Sequence, residues 1–216
     1  MLEQAPLYNE IAEGPLNGAA FWLQTTDKVK IRVGLWPSAH VDGSVNGTVF
    51  LFPGRTGYIE RYGKLANDLV AAGYNSLVID WRGHGLSDRV TTDANTCHVA
   101  QFADYQKDVA AMIGAANTLE LPKPWYLLGH SLGACIGLRA IIEGFPVSAC
   151  AFTSPLWDIN LPTLQRLAAW PLSWAAQFIG KGHLYAPGTR GESYVLQTAF
   201  DDNRLTHDPD MYQYYV

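Results

Sequence analysis

A serine between two glycines is the feature of this sequence that points most directly to chemistry. The apolar run at residues 125–128 leads into Gly129-His130-Ser131-Leu132-Gly133, a G-x-S-x-G pattern. A short strand that runs into this pattern and then into a helix places the serine on a sharp turn, with its hydroxyl clear of the sheet. Ser131 is therefore a candidate nucleophile, whose oxygen would attack an electrophilic carbon. The alternative is a serine in an ordinary glycine-rich turn.

The context of the pentapeptide favours the nucleophile. Residues 134–143 predict a helix, and Gly144 follows them as a signal for its end. Glycine on each side of the serine is expected, because a sharp strand-to-helix turn leaves no room for larger side chains beside the neighbouring backbone. The sequence thus predicts a strand, a turn and a helix in the order that such a nucleophile requires.

Six strands are predicted to position this motif, at residues 20–25, 28–36, 47–52, 75–80, 125–128 and 147–152. The second strand alternates polar and apolar residues and is expected to be half exposed. The third and fourth are continuous apolar runs, typical of strands that are covered on both faces. Helices are predicted at residues 58–72 and 101–119. Strands that alternate with helices indicate an α/β architecture with helices on both faces of a mostly parallel sheet.

The alternation of strands and helices ends near Pro155. The sequence that follows predicts helical segments at residues 161–168 and 172–179, which carry paired aromatic side chains. We therefore expect two regions. Residues 1–155 would form the core, from the first strands through the serine turn, and residues 156–216 a partial helical cap.

Composition excludes several classes of protein. Hydrophobic residues make up 48% of the 216 residues and charged residues 16%, which indicates a globular chain rather than a disordered one. A net charge of −5 provides no basic surface for nucleic acid. The three cysteines match no zinc-binding spacing. The N-terminus lacks the pattern of a signal peptide and no segment is long enough to span a membrane, so a cytoplasmic location is expected.

Three further stretches accompany the serine motif. They are Phe-Pro-Gly-Arg-Thr-Gly-Tyr-Ile-Glu-Arg-Tyr at residues 52–62, Asp-Trp-Arg-Gly-His-Gly-Leu-Ser at residues 80–87 and Thr-Ser-Pro at residues 153–155. Together with the serine motif they resemble the α/β-hydrolase superfamily. Within it, the chain looks most similar to the monoacylglycerol lipase and lysophospholipase group, also called serine aminopeptidase-like hydrolases. The resemblance extends over residues 20–160.

This resemblance implies an oxyanion hole. In the superfamily, the loop after the third strand donates one backbone N–H to the oxyanion, and the residue after the nucleophile donates another. These positions match Arg55 and Leu132, and a helix that begins at Leu132 also favours negative charge there. Residues 52–54 are Phe-Pro-Gly where many relatives have His-Gly, a difference expected to alter the support of the hole more than its donor.

Two histidines near these motifs are expected to be structural. His84 lies in a tight turn, and the base of this superfamily follows the last strand instead. His130 is expected to pack against its neighbours, since its place in the turn directs it away from the target of the serine.

Aromatic residues of the predicted cap are candidates for binding an acyl chain. They are Trp157, Trp170, Trp174 and Phe178, with Leu164 and Leu167 beside them. In the alternative interpretation, the same side chains form the inner packing face of the cap helices, as aromatic residues at helical spacing usually do.

The acid and the histidine of a catalytic triad are not found where the superfamily places them. They would follow strands beyond the cap, and two such strand-and-helix units need about sixty further residues. We therefore expect a chain truncated after the sixth strand, without the acid and the base. A shortened triad is the alternative, built from residues downstream of Ser131: Asp201, Asp202, His207 and Asp208.

The resemblance implies a serine hydrolase that cleaves carboxylic esters. Its substrate would be a monoacylglycerol or a lysophospholipid-like ester, with no metal or organic cofactor. Hydrolysis of amides by an aminopeptidase of the same fold stays open, and so does an inactive fold that binds acyl ligands or partners. No nucleic acid partner is expected, a peripheral membrane contact through the cap is left open, and the sequence predicts no oligomeric state.

Overall fold

Seven strands form one sheet in the part of the chain that the computed structural model describes, residues 2–38, 45–186 and 197–213. The strands are β1 (Glu3–Ala5), β2 (Ala19–Gln24), β3 (Lys30–Trp36), β4 (Gly47–Phe52), β5 (Tyr74–Asp80), β6 (Trp125–His130) and β7 (Ala149–Thr153). They lie in the order β1-β2-β3-β5-β4-β6-β7. Strands β4, β5, β6 and β7 pair in parallel, whereas β1, β2 and β3 pair antiparallel, and β3 is antiparallel to β5.

Helices cover both faces of the sheet. The helices are α1 (Asn9–Ala12), α2 (Gly63–Ala71), α3 (Tyr105–Thr118), α4 (Leu132–Ile142), α5 (Thr163–Phe178) and α6 (Pro209–Gln213). Alternate residues of β4 reach the two layers, because successive side chains of a strand point to opposite faces. Phe50 and Phe52 pack in a cluster with α3 and α4, while Val49 and Leu51 pack in a cluster with α1 and α2. The predicted α/β architecture is confirmed.

The crossovers bring two loops together at one edge of the sheet. From β4 the chain crosses to β5 on one side and later returns to β6 on the other side, so β4 lies between them. Phe52 at the end of β4 is paired in register with Gly129 near the end of β6. The loops that follow these two strands therefore lie side by side, at the carboxyl ends where open α/β sheets bind their ligands.

The sheet contains one strand that the sequence did not predict. Glu3–Ala5 forms β1 and pairs antiparallel with β2. At three residues it is too short to show a period of two, so hydrophobic patterning does not reveal it. The sixth predicted strand is consequently β7 of the structure.

Strand β3 is buried on both faces, which corrects the expectation of a half-exposed strand. Its polar face carries Arg32, which is only 1% exposed. The guanidinium donates to Asp80 on β5 and to Glu60 in the 3₁₀ turn Ile59–Tyr62 before α2. Because both carboxylates pair with it, the charge is tolerated in the interior, and alternation of polar and apolar residues does not mark exposure here.

A single helix replaces the two short helical segments predicted for the cap. Helix α5 runs through Pro171, which lacks the N–H for one helical hydrogen bond. The helix continues because only one backbone hydrogen bond is missing, and the other hydrogen bonds along its 16 residues remain. No residue of α5 is buried, and β7 is exposed over most of its length.

Candidate active site

Ser131 lies on the turn between β6 and α4, as the sequence predicts. Its backbone adopts φ 50° and ψ −116°, a combination that residues other than glycine rarely occupy. Such strain persists only where the surrounding structure holds it, and it is concentrated at functional sites. The predicted strand, turn and helix around this serine are confirmed, and we call residues 129–133 the elbow.

The glycines of the elbow are required by the packing of the backbone. A Cβ at Gly129 would come within 2.8 Å of the Ala134 Cα, and a Cβ at Gly133 would overlap the carbonyl oxygen of Phe52. Helix α4 therefore begins in direct contact with the end of β4. This close approach brings the loop after β4 to the serine.

The loop at residues 53–57 lies against Ser131. A Cβ at Gly54 would be 3.1 Å from the Cβ of the serine. The loop is a tight turn, in which the Gly57 N–H donates to the Gly54 carbonyl at 3.1 Å and Thr56 has a φ of 62°. Arg55 thus directly follows Gly54, the residue that lies against the serine.

Two backbone N–H groups in this region have no acceptor within the described residues. No acceptor among the residues that the structure describes takes the N–H of Arg55 or that of Leu132. Leu132 is the first residue of α4, where N–H groups have no partner within the helix and the helix dipole favours negative charge. The side chain of Arg55 is engaged elsewhere, since its Nη2 donates to the Thr96 carbonyl at 3.1 Å.

The segment after β7 is hydrogen-bonded to the backbone of Ser131. The serine N–H donates to the Thr153 carbonyl at 3.0 Å, and the serine carbonyl accepts the Leu156 N–H at 3.2 Å. Trp157 comes next and packs edge-on against Phe152, with ring centroids 5.6 Å apart. Of the four aromatic residues predicted to bind substrate, Trp157 is therefore connected to the elbow through the hydrogen bond of Leu156, the residue before it.

The other three aromatic residues lie on α5 and are exposed. Trp170, Trp174 and Phe178 have exposed fractions of 81%, 63% and 80%, and the last two stack with ring centroids 5.7 Å apart. Within the described residues these three side chains are not buried, and the alternative of an inner packing face also stays a prediction. No ring contact joins them to the elbow in the same part of the chain, so their binding of an acyl chain stays a prediction.

The two histidines of the motifs occupy different environments. His84 is buried, with Nδ1 3.0 Å from the Arg82 carbonyl, and burial lowers its pKa, which favours a neutral ring. His130 is exposed overall, but its ring lies against Gly54, where a Cβ would be 3.0 Å from the imidazole Cδ2. As the last residue of β6 its side chain emerges at the sheet edge, where Nδ1 lies 3.0 Å from Thr153 Oγ1 on β7.

The residues of the alternative, shortened triad have local roles. The Asp208 carboxylate caps α6, accepting two backbone N–H groups at 2.9 and 3.2 Å. The other two aspartates lie in the 3₁₀ turn Phe200–Asp202. Neither His207 nor another described histidine is hydrogen-bonded to the Ser131 hydroxyl, and His40 lies outside the described residues.

A cavity of about 290 Å³ lies near the carboxyl end of β5. Its lining consists of Tyr8, Ile11, Arg32, Tyr58, Glu60, Gly85 and Leu86, so it is separate from the elbow and from residues 53–57. Over the described ranges, no three His, Cys, Asp or Glu side chains are grouped to hold a metal ion. Over the same ranges, no helix is long and apolar enough to cross a membrane.

Asp80 and Trp81, at the end of β5, contact the loop that carries Arg55. From the sequence, residues 80–87 are expected to be structural, and neither residue is predicted to belong to the site. One signal was available, an acidic residue directly at the carboxyl end of a continuous apolar strand, where functional residues of α/β sheets collect.

The sheet order, together with a serine on a strained turn between β6 and α4, defines an α/β-hydrolase fold. Residues 43–216 match the family model described as Serine aminopeptidase, S33, and the chain belongs to this family.

Several curated proteins are similar in sequence. Lysophospholipase L2 of Escherichia coli (strain K12) is 32% identical over 212 residues, which cover 93% of this chain and 58% of that protein. Monoacylglycerol lipase of Mycolicibacterium smegmatis is 27% identical over 151 residues, which cover 65% of this chain and 51% of that protein. The chain thus spans less than two thirds of the length of these relatives.

Solved structures support the fold. A soluble variant of monoglyceride lipase from Saccharomyces cerevisiae, in complex with a substrate analogue, matches with a TM-score of 0.52 and 24% identity, over 77% of this chain and 55% of that one. An esterase from Pyrococcus furiosus matches with a TM-score of 0.55 and 19% identity, over 86% of this chain and 70% of that one. At these identities the similarity establishes the α/β-hydrolase fold.

Proposed function

We propose that the protein is a serine hydrolase that cleaves carboxylic esters and that Ser131 is its nucleophile. One observation carries the proposal: Ser131 is held at φ 50°, between glycines whose Cβ atoms would have no room. A conformation of this kind presents the hydroxyl of a nucleophile to a substrate above the sheet edge.

In the proposed reaction, the Ser131 oxygen attacks the carbonyl carbon of the ester while a base takes the hydroxyl proton. The negative oxygen of the tetrahedral intermediate lies between the N–H groups of Arg55 and Leu132, aided by the dipole of α4. Collapse of the intermediate expels the alcohol, which takes up the proton, and leaves an acyl-serine that water hydrolyses. No described residue is assigned as the base.

The proposed substrates are monoacylglycerols or lysophospholipids. Relatives named as lysophospholipases and as a monoacylglycerol lipase support this class. Trp157 beside the elbow, together with the exposed aromatic residues of α5, offers apolar surface to an acyl chain. The exposed aromatic residues of α5 also suit peripheral contact with the membrane or micelle that contains such substrates.

Amide hydrolysis is the second candidate activity, because the matching family is described as a serine aminopeptidase family. The chemistry at Ser131 would be the same, since an amide and an ester pass through similar tetrahedral intermediates. The leaving group decides between the two activities.

Hydrolysis assays on the protein in its full natural length test the proposal. We expect turnover of a lysophosphatidylcholine and a 1-monoacylglycerol, and little turnover of aminoacyl p-nitroanilides. Ser131→Ala should lower kcat for the esters by at least about 10³-fold, because the nucleophile is lost while binding remains.

Ser154→Ala is the matched control. Ser154 also has a positive φ, 43°, and is exposed, but it lies beyond β7 and outside the proposed machinery. Its variant should retain the activity of the unaltered protein. Ester turnover that survives in Ser131→Ala would show that the chemistry lies elsewhere, and faster cleavage of the anilides would favour the amide hydrolase.

A further inference from the structure

Two consecutive residues at the end of β5 hold both ends of the loop at residues 53–57. The Trp81 indole N–H donates to the Pro53 carbonyl at 2.9 Å, and the Asp80 carboxylate accepts the Ile59 N–H at 2.8 Å. Asp80, Trp81 and Ile59 are fully buried. The loop that carries Arg55 is therefore fixed at its start and just beyond its end.

The bond from Ile59 is one of three that Asp80 accepts. Its carboxylate also takes the Leu86 N–H at 3.0 Å and the Arg32 Nε–H at 2.8 Å. Gly85 packs so closely on this carboxylate that a Cβ there would overlap it. Because the group is buried, a side chain that accepts fewer bonds would leave a donor without a partner and release one of the segments that meet here.

Arg32 reaches the same loop by a second route. Its two terminal nitrogens donate to both oxygens of Glu60, at 2.9 and 2.8 Å, and Glu60 follows Ile59 directly. Burial raises the pKa of Asp80 to about 6, while the charge of Arg32 opposes this rise. At neutral pH the carboxylate is therefore ionised and able to accept from all three donors.

Small movements of this loop matter because it lies against the nucleophile. Gly54 lies close to Ser131, since a Cβ there would be 3.1 Å from the serine Cβ and the neighbouring atoms would have to shift by a few tenths of an ångström. A shift of Ile59 would be transmitted through the tight turn to the N–H of Arg55. Misplacement of a catalytic group by about 1 Å can lower a rate by about 10²-fold.

We infer that Asp80 is a positioning residue, which fixes the loop at residues 53–57 so that the Arg55 N–H points to the oxyanion formed at Ser131. Its catalytic consequence rests on the proposed function, whereas the fixing of the loop does not. Asp80 touches no reacting atom in this arrangement. It acts through the Ile59 N–H.

The structure offers a matched control in a second buried pair. Asp108 on α3 is fully buried, binds the Arg82 guanidinium at 2.7 and 2.9 Å, and accepts the Arg82 backbone N–H at 3.2 Å. Arg82 lies two residues after Asp80, and its other partner is Asp27. Within the described residues, no hydrogen bond of this pair reaches residues 53–57. Asp108→Asn therefore disturbs a comparable buried ion pair without touching the loop.

The experiment compares Asp80→Asn and Asp108→Asn in the protein at full natural length. Three measurements are made: hydrogen exchange of the amides at residues 54–59, kcat and KM for the ester, and the midpoint of unfolding. We expect Asp80→Asn to speed exchange of the loop amides by about tenfold or more, since local opening becomes easier. It should lower kcat by about 10²-fold and leave KM within about threefold.

Asp108→Asn should lower the unfolding midpoint to a similar extent, with loop exchange and kcat close to those of the unaltered protein. The inference is overturned if loop exchange is unchanged in Asp80→Asn, or if both variants speed it equally. Should Asp80→Asn not fold, Asp80→Glu decides instead, because it keeps the charge opposite Arg32 and moves the carboxylate that accepts the Ile59 N–H. Unchanged exchange of the loop amides in that variant would overturn the inference. If the unaltered protein cleaves no ester, the proposed function fails, and the exchange data still decide the role of Asp80.

Discussion

The elbow and helix α5 both carry residues predicted to act on substrate, and their surroundings are opposite. Around the elbow, Leu132, Ala134 and Ile136 are buried, and the glycines have no space for a side chain. Along α5 no residue is buried. The residue types of the elbow are thus explained by contacts within the chain, whereas the apolar residues of α5 are not.

This difference indicates that the residue types of the two regions have different causes. The elbow needs glycines because backbone segments touch there, and replacement of a glycine acts on folding first. The aromatic residues of α5 contribute little to the packing of the described chain, so their replacement should act on contacts with something outside it. Comparing matched substitutions in the two regions tests this distinction.

The largest effect is expected for a tryptophan beside the elbow. Trp81 is fully buried, donates to the Pro53 carbonyl, and packs edge-on against Phe52 and Tyr105, with ring centroids 4.9 and 5.8 Å away. Trp81→Ala should lower the free energy of unfolding by about 3–5 kcal/mol, because it leaves a cavity and an unpaired carbonyl. Urea denaturation at full natural length measures this.

Trp174→Ala is the counterpart of that substitution on α5. Trp174 is 63% exposed and packs its ring on Phe178, so in the 216-residue chain the free energy of unfolding should change by less than about 1 kcal/mol. A loss as large as that of Trp81→Ala would contradict the comparison, because it would mean that α5 is packed in solution.

The effect expected from a glycine of the elbow lies between those of the two tryptophan substitutions. Gly133→Ala places a methyl group on the Phe52 carbonyl and should lower the free energy of unfolding by about 1–3 kcal/mol. Gly114→Ala is the control within α3, where a Cβ meets nothing within 4 Å. That variant should instead stabilise the protein by about 0.5–1 kcal/mol, because alanine favours a helix more than glycine does. Equal effects of the two variants would show that α4 is not in tight contact with β4.

Those parts of the fold that depend on local patterning could be predicted from the sequence. The apolar run of β4 was predicted at residues 47–52 and is observed as Gly47–Phe52. The turn at Ser131 was predicted because the glycines that it requires lie within five consecutive residues. In both cases the cause lies in neighbouring residues.

Features that depend on distant partners could not be predicted in the same way. Arg32 is buried because of carboxylates 48 and 28 residues away along the chain, and the alternation of β3 contains no sign of them. The exposure of α5 is of the same kind, since an apolar helical face is expected to be covered. Which surface covers such a face is decided by tertiary contacts, and periodicity does not report them.

Covalent labelling tests the central claim, that Ser131 is the nucleophile. A long-chain alkyl fluorophosphonate is added to the protein at full natural length, and the modified peptide is identified by mass spectrometry. We expect a single adduct on Ser131, absent from Ser131→Ala and retained in Ser154→Ala, because the reagent reacts with an activated serine whose oxyanion site is formed. An adduct at another residue, one that persists in Ser131→Ala, or none at all would contradict the claim.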